Sequence, residues 1–175
     1  MLTEGKALIM DEKAMARAIN RISYEIIERG KGSEDLCIIG IFSRGVELAS
    51  RIAEKIEAIE ERRIPVGCLD ITPFRDDGKK YEGIPHTNIP FPLDGKQVIL
   101  VDDVICTGRS VRAAIDGILS MGRPRKIQLA VLIDRGHREL PLRADYIGKN
   151  VPTSREEEIC VYVRERDGKD CVIIR

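Results

Sequence analysis

Residues 98–110 read Val-Ile-Leu-Val-Asp-Asp-Val-Ile-Cys-Thr-Gly-Arg-Ser, and no other stretch constrains the fold as much. Four consecutive apolar side chains, Val98–Val101, fit a strand buried on both faces. Asp102 and Asp103 stand where that strand is expected to end. Thr107, Gly108, Arg109 and Ser110 then make a tight turn that opens a helix. A helix N-terminus presents unpaired N–H groups and a positive dipole end, so it favours a phosphate. Carboxylates one turn away suit ribose hydroxyls, held directly or through Mg²⁺. Asp before a turn is also ordinary helix-capping chemistry, so the pair alone leaves a structural role open. The thirteen residues together fit a sugar phosphate, gripped by amides at one end and by acids at the ring.

The same strand-then-helix unit recurs along the chain. Residues 7–10 predict a short strand, and a helix follows from Asp11 with Met15, Ile19, Ile22 and Ile26 on one face. Gly30 and Gly32 close it. A buried strand is expected at 36–42. Ser43-Arg44-Gly45 then turns into a second helix with Leu48, Ile52, Ala53 and Ile56 facing inward. Residues 64–72 predict another strand. Residues 73–96 are rich in Pro, Gly and Asp, and a loop of that length in a compact domain is usually functional or mobile. Strand 97–101, helix 109–121 and strand 126–133 follow. The tail, 134–175, reads as irregular, with β-like runs at 159–163 and 171–174. Alternating strands and helices imply an α/β fold, a mostly parallel central sheet flanked by helices, in one domain covering 1–175. Ligands bind such sheets beyond the carboxyl ends of the strands. The turns at 43–45, 102–110 and 134–138 all fall there.

Composition removes several classes. No apolar run approaches the roughly 20 residues that span a bilayer, and the first residues, Met-Leu-Thr-Glu-Gly-Lys, lack a signal-peptide core. Cys37, Cys68, Cys106, Cys160 and Cys171 are scattered without a C-x-x-C pair, which fits a reducing cytoplasm. Lys plus Arg equals Asp plus Glu at 29 each, so any nucleic-acid contact must come from local clustering. His86 and His137 come with no nucleophile motif.

Other residues extend the candidate site. Arg44 offers a planar fork for phosphate oxygens, and Gly45 permits close backbone approach. Arg75 is a cation on the long loop, placed to close over an anion and exclude water. Asp134 and Arg135 end strand 126–133 and extend the same environment. Arg135, His137, Arg138, Arg143 and Lys149 cluster within fifteen residues. Arg17, Arg21 and Tyr24 recur at helical spacing on the first helix, with Arg29 near its end. Such a face suits phosphates, and Tyr24 suits base stacking. On composition alone a solvated face is the favoured reading.

The stretch 98–110 resembles the 5-phosphoribosyl-1-pyrophosphate (PRPP) motif of type I phosphoribosyltransferases. The resemblance widens through Leu69-Asp70-Ile71-Thr72, Phe74-Arg75-Asp76-Asp77, Asp134–Pro141, Arg143–Asn150 and Pro152-Thr153-Ser154. Together these are similar to the bacterial pyrimidine operon attenuator and uracil phosphoribosyltransferase family, PyrR. The match runs roughly from Asp11 to the C-terminus. It implies a cytoplasmic protein that binds a stem-loop in pyrimidine-operon leader RNA when UMP is bound, and not DNA or membrane. It also implies catalysis of uracil plus PRPP to UMP plus pyrophosphate with Mg²⁺, in a homodimer or higher assembly.

By that resemblance Asp102 and Asp103 hold ribose or Mg²⁺. Thr107, Gly108, Arg109 and Ser110 take the 5′-phosphate, and Val104, Ile105 and Cys106 belong to the same PRPP and UMP site. Ser43, Arg44 and Gly45 meet pyrophosphate, with Asp134 and Arg135 beside it. A hood segment, about 135–155, places Tyr146 and Ile147 over the uracil with backbone groups reading its edge, while the loop at about 73–96 is flexible. The RNA candidates are Arg17, Asn20, Arg21, Tyr24, Arg29, His137, Arg138, Arg143 and Lys149. Purine-using relatives often carry Asp where this chain has Cys106. A neutral thiol is a poor proton acceptor, so a pyrimidine fits better. The chain departs from many relatives at Cys106 (aromatic), Ser43 and Ser110 (Thr), and Asn20 and Tyr24 (Thr and His). A nucleobase-salvage enzyme without an RNA role, or a regulator with a vestigial site, are the competing readings.

Overall fold

The computed structural model describes residues 7–175. Its elements run β1 (Ala7–Met10), α1 (Glu12–Gly30), β2 (Leu36–Ile41), α2 (Arg44–Glu60), β3 (Val66–Leu69), a 3-10 turn at Thr72–Phe74, then β4 (Gln97–Ile105) and α3 (Arg109–Met121). They continue as β5 (Lys126–Asp134), β6 (Tyr146–Asn150), β7 (Ile159–Tyr162), α4 (Arg164–Asp167) and β8 (Cys171–Ile174).

Five strands form a parallel sheet in the order β3-β2-β4-β5-β6. Apolar side chains leave it on both sides, which is why β2 and most of β4 read as unbroken hydrophobic runs. One core joins Met15, Ile19, Ile22 and Ile26 of α1 to Leu48, Ile52 and Ile56 of α2. The other joins Val111, Ala114 and Ile118 of α3 to Leu100, Leu129 and Leu69. Burying each large aliphatic side chain contributes about 2 kcal/mol. Helix α1 starts where the Asp11 carboxylate accepts the Ala14 N–H at 2.8 Å. It ends on Lys31 in the left-handed conformation, just after Gly30.

A second, antiparallel sheet has the order β1-β8-β7. The small accessory layer is thus built from both termini, with β1 contributed by the N-terminal side and paired to β8.

Three expectations change. Strand β4 runs to Ile105 because pairing with β5 continues through Ile105↔Asp134, so Asp102 and Asp103 lie inside the strand, not past its end. Strand β3 is shorter than 64–72: the Asp70 carboxylate takes the Thr72 N–H at 3.0 Å and its hydroxyl at 2.6 Å, which bends the chain into the 3-10 turn. The tail contains β6, a parallel edge strand, where an irregular segment was expected. Its outer carbonyls at Ile147 and Gly148 accept from the Arg21 guanidinium of α1. No described helix is long and apolar enough to cross a membrane.

Candidate active site

Parallel packing brings the exits of β2, β3 and β4 to one rim. There the chain leaves a cleft of about 410 Å³, lined by Phe42, Ser43, Arg44, Asp70, Thr72, Arg75, Tyr81, His86, Asp102, Asp103, Val104 and Ser110, with Ile41 and Ile71. Seven of the residues singled out in the sequence therefore meet: Ser43, Arg44, Arg75, Asp102, Asp103, Val104 and Ser110. The Ser43–Gly45 turn can reach this rim only because two glycines let backbone touch backbone. A Cβ on Gly40 would stand 2.4 Å from the Gly45 carbonyl oxygen, and one on Gly45 would stand 2.5 Å from that of Val101. The Phe42–Ser43 peptide is cis.

The two acids differ in surroundings. Asp102 is almost fully buried, and burial, with Asp103 beside it, pushes its carboxyl well above the usual range. Its Oδ1 accepts the Asp103 N–H at 2.9 Å, and Asp103 Oδ1 accepts the Val104 N–H at 2.8 Å. Asp103 is half-buried and opens on the cleft. Arg44 is gripped in a two-pronged pair by Asp167 of α4, at 2.9 and 3.2 Å, and that hydrogen bond raises its pKa. Arg75 is exposed and pairs with Asp77 at 3.0 Å.

The turn after β4 is ready to hold an anion by its amides. Gly108 has φ +92°, and the Arg109 N–H meets Thr107 Oγ1 at 3.2 Å. The Arg109 guanidinium is turned to Glu139 at 3.3 Å and Asp76 at 3.5 Å, so its side chain serves the turn's surroundings. The turn is stapled from behind. Thr107 O accepts from Glu139 and Leu140 N–H at 2.9 and 3.1 Å, and Ile105 O accepts from Arg135 N–H at 3.1 Å. Arg138 donates to Cys106 O at 3.0 Å, to Leu142 O at 2.8 Å and to both Asp134 oxygens. Burial alone would raise Asp134; the Arg138 hydrogen bonds hold it below the usual carboxylate range.

Other predicted site residues lie elsewhere. Asp134 and Arg135 border a second cavity, about 590 Å³, with His137, Arg138, Arg143 and Thr153. Arg135 is fastened to Thr153 Oγ1 at 3.1 Å and Glu157 O at 2.7 Å. The Tyr146 ring points away from the surface. Strand pairing to Ala130 turns the ring into the core, fully buried, with its hydroxyl on Gln128 at 3.1 Å and Arg29 5.1 Å above it. Ile147 is half-buried and packs against the α3-side core.

The basic candidates divide the same way. Arg21, Arg29 and Arg138 make internal contacts: Arg21 and Arg29 clasp carbonyls of β6 and of Asp145, and Arg138 staples the turn. Arg21 and Arg29 stay exposed even so, as do Arg17, Asn20, Tyr24, His137, Arg143 and Lys149. His137 Nε2 contacts Thr153 O, and Lys55 lies 5.8 Å over the Tyr24 ring.

Asp70, Thr72, Tyr81 and His86 line the cleft without having been assigned a role from the sequence. Asp70 and Thr72 stand in a quoted motif, and that was the available signal. Tyr81 and His86 lie in the loop without periodicity and gave none.

Over residues 7–174 the chain matches the family model described as the phosphoribosyl transferase domain. It is 54% identical to the Bifunctional protein pyrR of Enterococcus faecalis, covering 97% of this chain and 96% of the relative. It is 59% identical to the Bifunctional protein PyrR of Streptococcus uberis, with the same coverage of each. The chain belongs to the PyrR family of phosphoribosyltransferases. A further relative, 58% identical over 95% of each chain, is the Pyrimidine operon regulatory protein of Lactococcus lactis. Among solved structures, the hypoxanthine phosphoribosyltransferase of Trypanosoma cruzi superposes with TM-score 0.75 at 14% identity, covering 97% of this chain and 96% of its own. At that identity the likeness speaks for the fold alone, and it fits the parallel sheet described above.

Proposed function

We propose that this chain is a UMP-sensing, RNA-binding regulator of pyrimidine-operon expression that also converts uracil and PRPP to UMP and pyrophosphate. The observation that carries the catalytic half is the cleft itself. Its lining by Asp102, Asp103, Arg44, Arg75 and Ser110, the last in the first turn of α3, supports a ligand with a phosphate, a ribose and a pyrophosphate. The regulatory half rests on the relatives named bifunctional and pyrimidine-operon regulators, and on the exposed basic residues beside the turn. A salvage enzyme without an RNA role is not favoured by those relatives.

The chemistry follows from the residues. The α3 N-terminus and the Ser110 hydroxyl hold the 5′-phosphate. Asp103, with Asp102 behind it, takes the ribose hydroxyls. Uracil N1 bonds to ribose C1′ as the bond from C1′ to pyrophosphate breaks, and the N1 proton leaves to solvent. Arg75 and Arg44 neutralise the departing pyrophosphate, and the loop carrying Arg75 keeps water from the positive C1′ centre. Among the described residues no group of three or more His, Cys, Asp or Glu side chains forms a metal cage. The two acids still fit Mg²⁺, which commonly takes one or two carboxylates and completes its shell with water and substrate oxygens. When bound there it supplies charge to the pyrophosphate oxygens.

A radiolabelled-uracil assay with PRPP tests the enzyme. UMP formation that stops on chelation of Mg²⁺, with no product from hypoxanthine or guanine, is the expected result. Turnover of a purine in preference to uracil contradicts the base assignment drawn from Cys106.

A further inference from the structure

The loop between the 3-10 turn and β4 needs an anchor if Arg75 is to be placed over the cleft. Its first end is fixed where Arg75 N–H meets Thr72 O at 3.4 Å. The second end is held at Asn88, whose backbone pairs with Cys68 at 2.8 and 2.9 Å, and, nearer the cleft, at His86. The His86 ring stacks on Phe42 with centroids 4.3 Å apart and planes 3° from parallel. Its backbone N–H and its Nδ1 both meet Asp70 Oδ2, at 3.1 and 3.2 Å. Asp70 also accepts from Thr72, and its N–H donates to Thr87 Oγ1 at 3.0 Å. A carboxylate so surrounded is ionised, so Nδ1 is the nitrogen that carries the proton.

Phe42 is the neighbour of Ser43 and begins the pyrophosphate turn. Arg166 of α4 also lies over its ring, at 5.2 Å, and is itself held by Glu47 at 2.8 Å. One aromatic ring therefore links the Arg75 loop, the pyrophosphate turn and α4. Phe42 and His86 both line the cleft, yet the His86 side chain is 61% exposed and supports no core. The limb after His86 is packed on its own account, through the Cys68–Asn88 backbone pairing and through Ile89, Phe91 and Leu93 against the core, so a stack kept at so exposed a place sets the loop's position at the cleft more than it stabilises the fold.

The geometry points to His86 as a positioning residue for pyrophosphate: by stacking on Phe42 and bonding Asp70, it ties the Arg75 loop to the Ser43–Gly45 turn so that both cradle the pyrophosphate as one body. The inference rests on the PRPP reading of the cleft. It separates PRPP from UMP, because UMP has no pyrophosphate and does not need the coupled loops.

The test measures affinity for PRPP with Mg²⁺ and, separately, for UMP by calorimetry, alongside steady-state rates. His86→Ala is expected to weaken PRPP binding about tenfold, the scale of one aromatic stack plus one hydrogen bond. UMP affinity should stay within about twofold by the same reasoning. In turnover, KM for PRPP rises while kcat stays nearly constant. His86→Phe keeps the stack and should recover most of the PRPP affinity. Equal weakening of PRPP and UMP, or no change in either, overturns the inference, as does a phenylalanine substitution that recovers nothing. If the unaltered protein binds UMP but not PRPP, the catalytic reading fails as well, and that outcome is distinct from a silent His86→Ala.

Discussion

The cleft and the basic surface assemble their charges in opposite ways. The cleft gathers Arg44, Asp70, Asp103 and Ser110 from segments far apart in sequence, because parallel strands deliver their exits to one rim. The basic candidates come from two local runs, 17–29 and 137–149, and the structure divides them by their contacts. Arg138 is committed to the back of the turn after β4; Arg21 and Arg29 reach carbonyls of β6 and of Asp145 while staying exposed; Arg17, Arg143 and Lys149 are exposed. Nearness in sequence marked a patch whose members have different duties. Distance in sequence did not hide Ser43, Arg44, Arg75, Asp102, Asp103 and Ser110, which were legible as candidates, but it hid Tyr81 and His86 beside them.

Substitutions sharpen that contrast. The largest effect belongs to the cleft. Asp103→Asn should lower uracil phosphoribosyltransferase turnover on the order of 100-fold, the usual scale for removing one preorganised charge at a reacting centre. RNA affinity measured without UMP should hardly move. Loss of both together would mean the two regions are not separate.

Arg138→Ala comes next. It leaves Asp134 without its partner and frees the Cys106 and Leu142 carbonyls, for a loss of about 2 kcal/mol; the ion pair is only partly buried, which keeps the figure below that of a deep one. Thermal unfolding should show the drop, and catalysis should fall with RNA binding. An unchanged melting temperature would return Arg138 to the exposed class.

Asp70 gives a pH dependence. Burial raises its pKa, but hydrogen bonds from Thr72 and His86 prevail and hold it at about 2, below its ordinary 3.8. A depressed carboxylate contributes stability that is fully present above the unfolded value and is lost as pH falls through the folded one. The unfolding free energy should therefore decline by about 2 kcal/mol between roughly pH 5 and pH 2 through this group. Asp70→Asn should remove that part of the slope in denaturant titrations at several pH values. A variant with the same slope contradicts the clasp.

The smallest effect belongs to the exposed cations. Arg143→Ala should leave the melting temperature unchanged, weaken leader RNA several-fold, and reduce the salt slope of binding by about one. A stability loss with unaltered RNA affinity would place Arg143 with the internal staples.

The strand-turn-helix at 98–121 was legible because it is local: an apolar run, a glycine turn and a helical period. Its acids were placed one step too far along, since Asp disfavours strands and only pairing with β5 carries β4 through them. Strand β6 was not legible. Its five residues include Gly148, Lys149 and Asn150, and it exists through pairing to β5 and the Arg21 clasp. The inward turn of the Tyr146 ring was not legible for the same reason, because the register with Ala130, not the residue type, sets it. The grip of Asp167 on Arg44 spans 123 positions, and no pattern in either segment announces it.

The most direct test of a cleft that reports to a basic surface is the affinity of the unaltered protein for pyrimidine-operon leader RNA, with and without UMP, at one fixed salt concentration. Binding that strengthens when UMP is added is the predicted result. Folded protein that binds UMP but ignores the RNA in both conditions would contradict the account and leave a phosphoribosyltransferase alone.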